Sequence, residues 1–216
     1  DSFHIHNKPG ACRIWVVEVE KRRNLAPACI TECMEGMVVK TKSMRVINAR
    51  RTVLELILSD HPSDCLQCAK SGNCELQKLA IRLGIRETPF KGGEQSQYQV
   101  EVSPSIIRDM NKCVMCRRCE TVCNELQTVG ALSAIERGFP AVVSTAFNQH
   151  LVDSPCTFCG QCVVACPVGA LTEVDNTPKI IRAITDPTKK TVVQVAPAVR
   201  VALGEELGMA PGTIGT

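Results

Sequence analysis

The first regular pattern along the chain is a β-rich run. Ile14, Val16, Val17 and Val19 fall within residues 11–20, ahead of the polar turn Lys21-Arg22-Arg23-Asn24. β-branched residues closed by a turn predict a strand, and Val38 and Val39 predict a second. The period then changes. Val46, Ile47, Val53, Leu54, Ile57 and Leu58 recur at helical spacing over residues 44–58. Ser59-Asp60-His61-Pro62 ends that helix, because the residue before proline avoids the helical region. A second helix is predicted after Cys74, with Leu76, Leu79, Ala80 and Leu83 on one face and Gly84 as its stop. Residues 84–104 are polar and rich in turn formers (Pro89, Gly92, Gly93, Pro104) and read as a connection between domains. After Pro178 an amphipathic stretch leads to Thr191-Val192-Val193-Gln194-Val195, which reads as a buried strand. Pro197 to Leu207 reads as the helix that follows it.

These elements lack the large side chains of an ordinary core. The 216 residues are 44% hydrophobic but only 3% aromatic, so something else must fill the interior, and fourteen cysteines are the candidates. That content is below the ~8–10% of a disulfide-stapled secreted domain. The cysteines also cluster at two-residue gaps, which suits metal ligation better than bridges between distant strands. The opening residues show no basic, apolar and small-residue pattern of a secretory leader, and no run of about 18 apolar residues marks a membrane span, so neither is expected. A cytoplasmic protein with reduced, metal-bound thiolates is expected. A net charge of +3, without a basic stripe interleaved with aromatics, gives no reason to expect a nucleic-acid partner. Asp1 at the start and the open run Ala210 to Thr216 lead us to expect a segment of a longer protein.

The strongest organisational signal is an internal repeat. Cys113-x2-Cys116-x2-Cys119-x3-Cys123 is matched by Cys156-x2-Cys159-x2-Cys162-x3-Cys166-Pro167. Three thiolates from such a loop reach three irons of one 4Fe–4S cube, while the fourth points to the other cube. One cluster is therefore expected on Cys113, Cys116, Cys119 and Cys166, and a second on Cys156, Cys159, Cys162 and Cys123. Zinc also uses paired Cys-x2-Cys, but needs two pairs for one ion. Gly160 and Gly169 fit a backbone that wraps closely round a cluster, or are ordinary loop glycines. This region resembles bacterial two-cluster ferredoxins. Asn124 stands where proline would follow the fourth cysteine of the first group, a position that shapes the turn and binds no metal.

A third constellation is His61-x3-Cys65-x2-Cys68-x5-Cys74. Three cysteines and one histidine are also a common structural zinc set, and that alternative stays open on the residues alone. The context Leu58-Ser59-Asp60-His61-Pro62, Asp64-Cys65 and Asn73-Cys74-Glu75-Leu76-Gln77 resembles the one-His, three-Cys 4Fe–4S motif of the accessory region of iron-iron hydrogenases. NADH dehydrogenase large subunits and some formate dehydrogenases share that motif. The resemblance implies that His61, Cys65, Cys68 and Cys74 hold a third cube. Gly10 to Glu20 and Ala28-Cys29-Ile30-Thr31 resemble the end of the plant-type 2Fe–2S domain that precedes the motif in these families. Only Cys12 and Cys29 match ligand positions. Trp15 stands where the family has a cysteine, and a cluster of this kind needs four ligands. That site is expected to be empty or degenerate; Cys33 is near enough to substitute as a ligand, but reads first as a small buried apolar residue.

The tail Val192 to Gly208 looks like the start of the catalytic domain of iron-iron hydrogenases, whose H-cluster cysteines come further on; no Cys follows Cys166. The resemblance implies an oxidoreductase segment, inactive by itself, that carries electrons along three 4Fe–4S clusters to a hydrogenase site acting on H2 or protons. It also implies the rest of the catalytic domain as partner, flavin- or NADH-linked and iron–sulfur subunits, possible exchange with ferredoxin, and an electron-bifurcating complex as one setting. A formate dehydrogenase or NADH dehydrogenase subunit, and a stand-alone carrier, are the alternatives. Neutral imidazole in place of thiolate makes the His61 cluster less negative and should raise its potential, suiting a point where electrons enter or branch. The fold class expected is α+β. A β-grasp remnant spans 1–43, a helical one-His, three-Cys domain 44–104, a two-cluster ferredoxin-like domain 105–178, and the start of an α/β catalytic domain 179–216.

Overall fold

The computed structural model describes residues 10–93 and 98–213. It combines short helices with three small antiparallel sheets, in two compact units, 1–174 and 175–216. In the first unit, Val16–Val19 (β1) forms the middle of a three-stranded sheet between Ala26–Pro27 (β2) and Val39–Lys40 (β3). Val16 faces Pro27 and Val19 faces Val39. Val17, Val19 and Ala26 make a small separate core.

Met44–Ser59 (α1) starts at Ser43, whose side chain accepts from the Val46 amide at 3.3 Å. Such a cap satisfies one of the amides that the first turn leaves without a helical partner. Val46 and Leu54 are completely buried on its inner face, each burial being worth roughly 1.5–3 kcal/mol. Arg50 of α1 donates to the Val16 carbonyl through Nε (3.1 Å) and Nη2 (2.8 Å), tying the helix to β1. Glu75–Arg82 (α2) begins directly after Cys74.

Residues 85–93 are tied to α1. Ile85 is buried, Thr88 donates to the Glu55 carbonyl at 3.0 Å, and the Gly93 amide donates to Asp60 at 3.1 Å. Thr88 and Gly93 find their partners on α1 and its cap Asp60, so residues 85–93 lie along that helix. The stretch expected as a connection, 84–104, also carries a strand, Glu101–Val102 (β4).

Ile106–Arg108 (β5) pairs with β4 and with Leu171–Glu173 (β8), so both ends of the cysteine-rich repeat meet in one sheet. Between them lie Arg118–Thr121 (α3), the hairpin of Ser133–Ile135 (β6) and Val142–Ser144 (β7), and Gln161–Ala165 (α4). α3 runs on as one wide π turn, Val122–Leu126, in which the Gln127 amide reaches the Val122 carbonyl at 2.9 Å. π turns recur at functional sites, and this one contains Cys123. The main core joins Leu54, Leu76, Ile106, Leu132, Leu151 and Leu171 with Cys74, Cys119 and Cys166.

The second unit holds Thr177–Thr185 (α5) and Pro197–Glu206 (α6), each with proline in its first turn. The strand expected at 191–195 does not form: Val192 and Val193 are 83% and 71% exposed, and no strand among the described residues pairs with them. An apolar run becomes a strand only where another edge takes up its backbone hydrogen bonds. No helix among the described residues is long and apolar enough to cross a membrane.

Candidate metal centres

The pairing of β5 with β8 decides how the repeat closes. Arg108 lies opposite Leu171, and the Asp109 amide donates to the Ala170 carbonyl at 2.8 Å. Cys113 and Cys166 are equally far along the chain from that pair, so the sheet brings the first cysteine of one group to the last of the other. Cys113, Cys116, Cys119 and Cys166 are electrostatic neighbours of one another. Cys123, Cys156, Cys159 and Cys162 form the other set and together line a cavity with Ile106, Leu132 and Leu151. Cys119 and Cys162 link the two sets electrostatically.

The loops that carry the cysteines have matching backbones. Met115 and Arg117 have φ of 51° and 62°, and the equivalent Phe158 and Gly160 have 54° and 77°. Positive-φ residues spaced two apart are the backbone pattern of loops that turn amides inward as anion-binding nests. Glycine meets this demand without strain at 160, whereas Arg117 does so with a side chain fixed by Glu120 at 2.5 and 2.7 Å. The amides act on the sulfurs. Val143 and Met115 donate to Cys113, Arg118 to Cys116, and Phe158 to Cys156 at 3.4 Å.

Burial, and then the mutual repulsion of the thiolates, pushes Cys116 and Cys162 up to about 12 and Cys119 well above its ordinary value. Such thiols stay protonated at neutral pH unless a cation displaces the protons. A set of buried sulfurs in amide-lined nests therefore fits a compact cationic core with anionic character outside, which an iron–sulfur cube provides. Among the described residues, no three His, Cys, Asp or Glu side chains converge closely enough to hold a single metal ion.

The third constellation abuts the first set. Cys65 opens the tight turn Cys65–Gln67, Cys68 closes it with its amide on the Cys65 carbonyl at 3.2 Å, and Cys74 is buried at the head of α2. The Glu75 amide donates to the Pro167 carbonyl at 3.0 Å, next to Cys166. Glu75 also receives both terminal nitrogens of Arg118, at 2.9 and 3.0 Å. A methyl group on Gly169 would stand 2.5 Å from the Cys68 sulfur, so only glycine allows this approach. Burial lowers the His61 pKa, against the opposing pull of Asp64. Its imidazole is thereby kept neutral, the form that binds metal. Lys112 stands beside this region, 3.6 Å from Asp64 and 3.1 Å from Asp109.

The N-terminal cysteines differ. Cys12 is half-buried against the main core and within electrostatic reach of Arg118. Cys29 is exposed on a neighbouring turn, joined to β1 by the Ala28 amide on the Trp15 carbonyl at 2.9 Å. Trp15 is 40% exposed and stacks under the Arg50 guanidinium, 5.6 Å from its ring centre. Cys33 is exposed, which corrects its reading as a buried apolar residue. It sits beyond the short β1–β2 sheet, whose core of Val17, Val19 and Ala26 does not reach it. Cys12 and Cys29 stand at two of the positions expected to ligate a 2Fe–2S cluster, and Trp15 stands at another.

Sequence reasoning missed Glu101 and Arg108, buried charges behind the second cysteine set. Their only trace was a charge of each sign at alternate-face positions of otherwise apolar strands.

Three family models match the chain in series. They are a 2Fe–2S iron–sulfur cluster binding domain over residues 4–44, an NADH-ubiquinone oxidoreductase-G iron–sulfur binding region over 50–89, and the ferredoxin-like domain of NADH-quinone oxidoreductase subunit 3 over 103–172. The chain is 62% identical to the NADP-reducing hydrogenase subunit HndD of Solidesulfovibrio fructosivorans, over 99% of its own length and 36% of that protein. It is 39% identical to the G 2 subunit of the NADH-quinone oxidoreductase of Rhizobium meliloti, over 74% of its length and 19% of the relative. It thus spans about a third or less of these relatives. Its structure is similar to that of an NAD+-reducing NiFe hydrogenase in the H2-reduced state, with a TM-score of 0.69 and 28% identity, over 78% of this chain and 71% of that one. From residue 4 to residue 172, the chain is an iron–sulfur region of the NADH-quinone oxidoreductase G type, with 2Fe–2S and 4Fe–4S binding domains in series.

Proposed function

We propose that this chain is the electron-conducting segment of a cytoplasmic, NAD(P)-linked hydrogenase of the iron-iron type. In this reading Cys113, Cys116, Cys119 and Cys166 hold one 4Fe–4S cluster, Cys123, Cys156, Cys159 and Cys162 a second, and His61, Cys65, Cys68 and Cys74 a third. When bound, each cluster exchanges single electrons. The observation that carries the proposal is the crossing of the repeat: each set takes three sulfurs from one loop and one from the other, and the His61 set lies against the first through Glu75, Pro167 and Gly169.

The chain's own residues do three things in this scheme. The crossed cysteines fix the two cluster sites to each other. The nest amides supply hydrogen bonds to sulfur, which tune potentials. Burial excludes water from the first set. No step is assigned to Cys12 and Cys29, between which Trp15 stands at the position of a further expected ligand.

The modules proposed are a β-grasp remnant over 1–43, the one-His, three-Cys domain over 44–104, the two-cluster domain over 105–178 and the start of a catalytic domain over 179–216. The resemblance of Val192 to Gly208 to the start of an iron-iron catalytic domain favours that type, and the identity to a hydrogenase subunit favours hydrogen as substrate. Flavin- or NADH-linked and iron–sulfur subunits, and ferredoxin, are the proposed partners. A NADH-quinone oxidoreductase subunit is the second reading, favoured by the matching family models.

Iron, acid-labile sulfide and zinc per chain, measured after anaerobic preparation, test the cluster sets. About twelve irons, four per cluster, support three cubes. Roughly eight irons with one zinc would move His61, Cys65, Cys68 and Cys74 to a structural zinc site. In the full-length protein, H2-dependent reduction of a nicotinamide nucleotide without nickel supports the iron-iron reading. Stoichiometric nickel, or no reaction with H2, overturns it.

A further inference from the structure

A buried ion pair stands behind the cavity lined by Cys123, Cys156, Cys159 and Cys162. Glu101 of β4 and Arg108 of β5 are register partners, 9% and 5% exposed, with carboxylate Oε2 and guanidinium Nη2 2.6 Å apart. Among the described residues Oε2 takes no other hydrogen bond, and the guanidinium is its partner. Oε1 accepts the Leu151 amide at 2.6 Å and lies 3.7 Å from Nδ1 of the exposed His150. Arg108 donates to Ser144 (2.6 Å), Thr145 (3.4 Å) and the Gln149 carbonyl (2.8 Å).

The network is one residue removed from the cavity. Leu151 puts its amide on Glu101 and its side chain into the cavity lining, which also includes Ile106 from β5. The Glu101 charge reaches Cys156. A well-packed apolar pair often serves such a place at least as well as a buried ion pair, so filling space does not account for the charges.

We propose that Glu101 and Arg108 are positioning charges that poise the reduction potential of the group held by Cys123, Cys156, Cys159 and Cys162. Glu101 lowers the potential and Arg108 offsets it. The inference rests on the reading of those cysteines as holding a 4Fe–4S cluster. Reduction adds negative charge to the site, so a fixed anion opposes it and a fixed cation favours it. In a dry interior this effect is weakly screened.

The test is a redox titration of the intact, anaerobically prepared protein followed by low-temperature electron paramagnetic resonance. Glu101→Gln should raise the potential of this one cluster, changing its reduced-to-oxidised ratio at fixed potential about tenfold, or 59 mV for a one-electron couple. Arg108→Gln should lower it, and the double variant should return close to the parent. A purely structural pair would give shifts of the same sign in both single variants, or none, and either result overturns the proposal. Should Arg108→Gln not fold, the near-isosteric Glu101→Gln alone carries the sign test: a raised potential supports the proposal, and a lowered or unmoved one overturns it. The parent's spectrum separates the two levels of failure. Absence of a second ferredoxin-type cluster removes the underlying reading and the inference with it, whereas a cluster whose potential does not move removes the inference alone.

Discussion

At the scale of single residues, the crossed cysteine sets make the sharpest prediction. Cys166 follows Cys156, Cys159 and Cys162 in sequence but lies with Cys113, Cys116 and Cys119. Cys166→Ala should therefore alter the resonance signal and potential of the cluster on the first loop and leave the second near its parent values. Cys123→Ala should do the converse. Loss confined to the variant's own loop would refute the pairing. His61 makes a different prediction. Its imidazole is held neutral by burial, so the proposed cluster there carries one anionic ligand fewer than its neighbours. His61→Cys should lower that cluster's potential, and a redox titration in which it rises would count against His61 as a ligand.

At the scale of elements, the contact of α2 with the loop after Cys166 joins two sites that the sequence separates. Gly169→Ala places a methyl group 2.5 Å from the Cys68 sulfur. Overpacking of this kind costs about 1–3 kcal/mol, and here it pushes on a proposed ligand. The expected result is loss of up to four irons per chain with the two ferredoxin-type signals retained; full occupancy would show that the approach is not needed. Helix α1 contributes to the same hydrophobic core as α2. Leu54 is fully buried on it, and Leu54→Ala should cost about 2–5 kcal/mol, read as a lower midpoint of thermal unfolding. Cluster potentials should stay unchanged in that variant, because Leu54 is an uncharged core side chain and Leu54→Ala adds or removes no charge.

At the scale of the whole molecule, most of the described chemistry lies in the unit ending at Val174. Between α5 and α6, Val192 and Val193 are largely exposed and in no regular element. Limited proteolysis under anaerobic conditions should cut first between residues 187 and 196, leaving a fragment that keeps all the bound iron. Iron lost with the released peptide would show that the second unit takes part in cluster binding.

The sequence by itself determined the parts whose physics is local. Helical spacing placed α1 and α2, Pro62 and Gly84 marked where they stop, and the Cys-x2-Cys-x2-Cys gaps marked the two loops. In those loops neighbouring residues alone set the backbone. Composition also foretold a core filled by something other than aromatics. The tertiary structure decided what depends on partners distant in the chain. It paired β5 with β8, which crosses Cys123 and Cys166 between the loops. It brought Cys68 against Gly169, laid residues 85–93 on α1, left Cys33 in solvent, and withheld a partner from the apolar run at 191–195. It also buried Glu101 with Arg108, which only their shared register makes possible. A hydrophobic pattern states that a residue will be covered. Only the pairing of strands and the packing of helices determine by what.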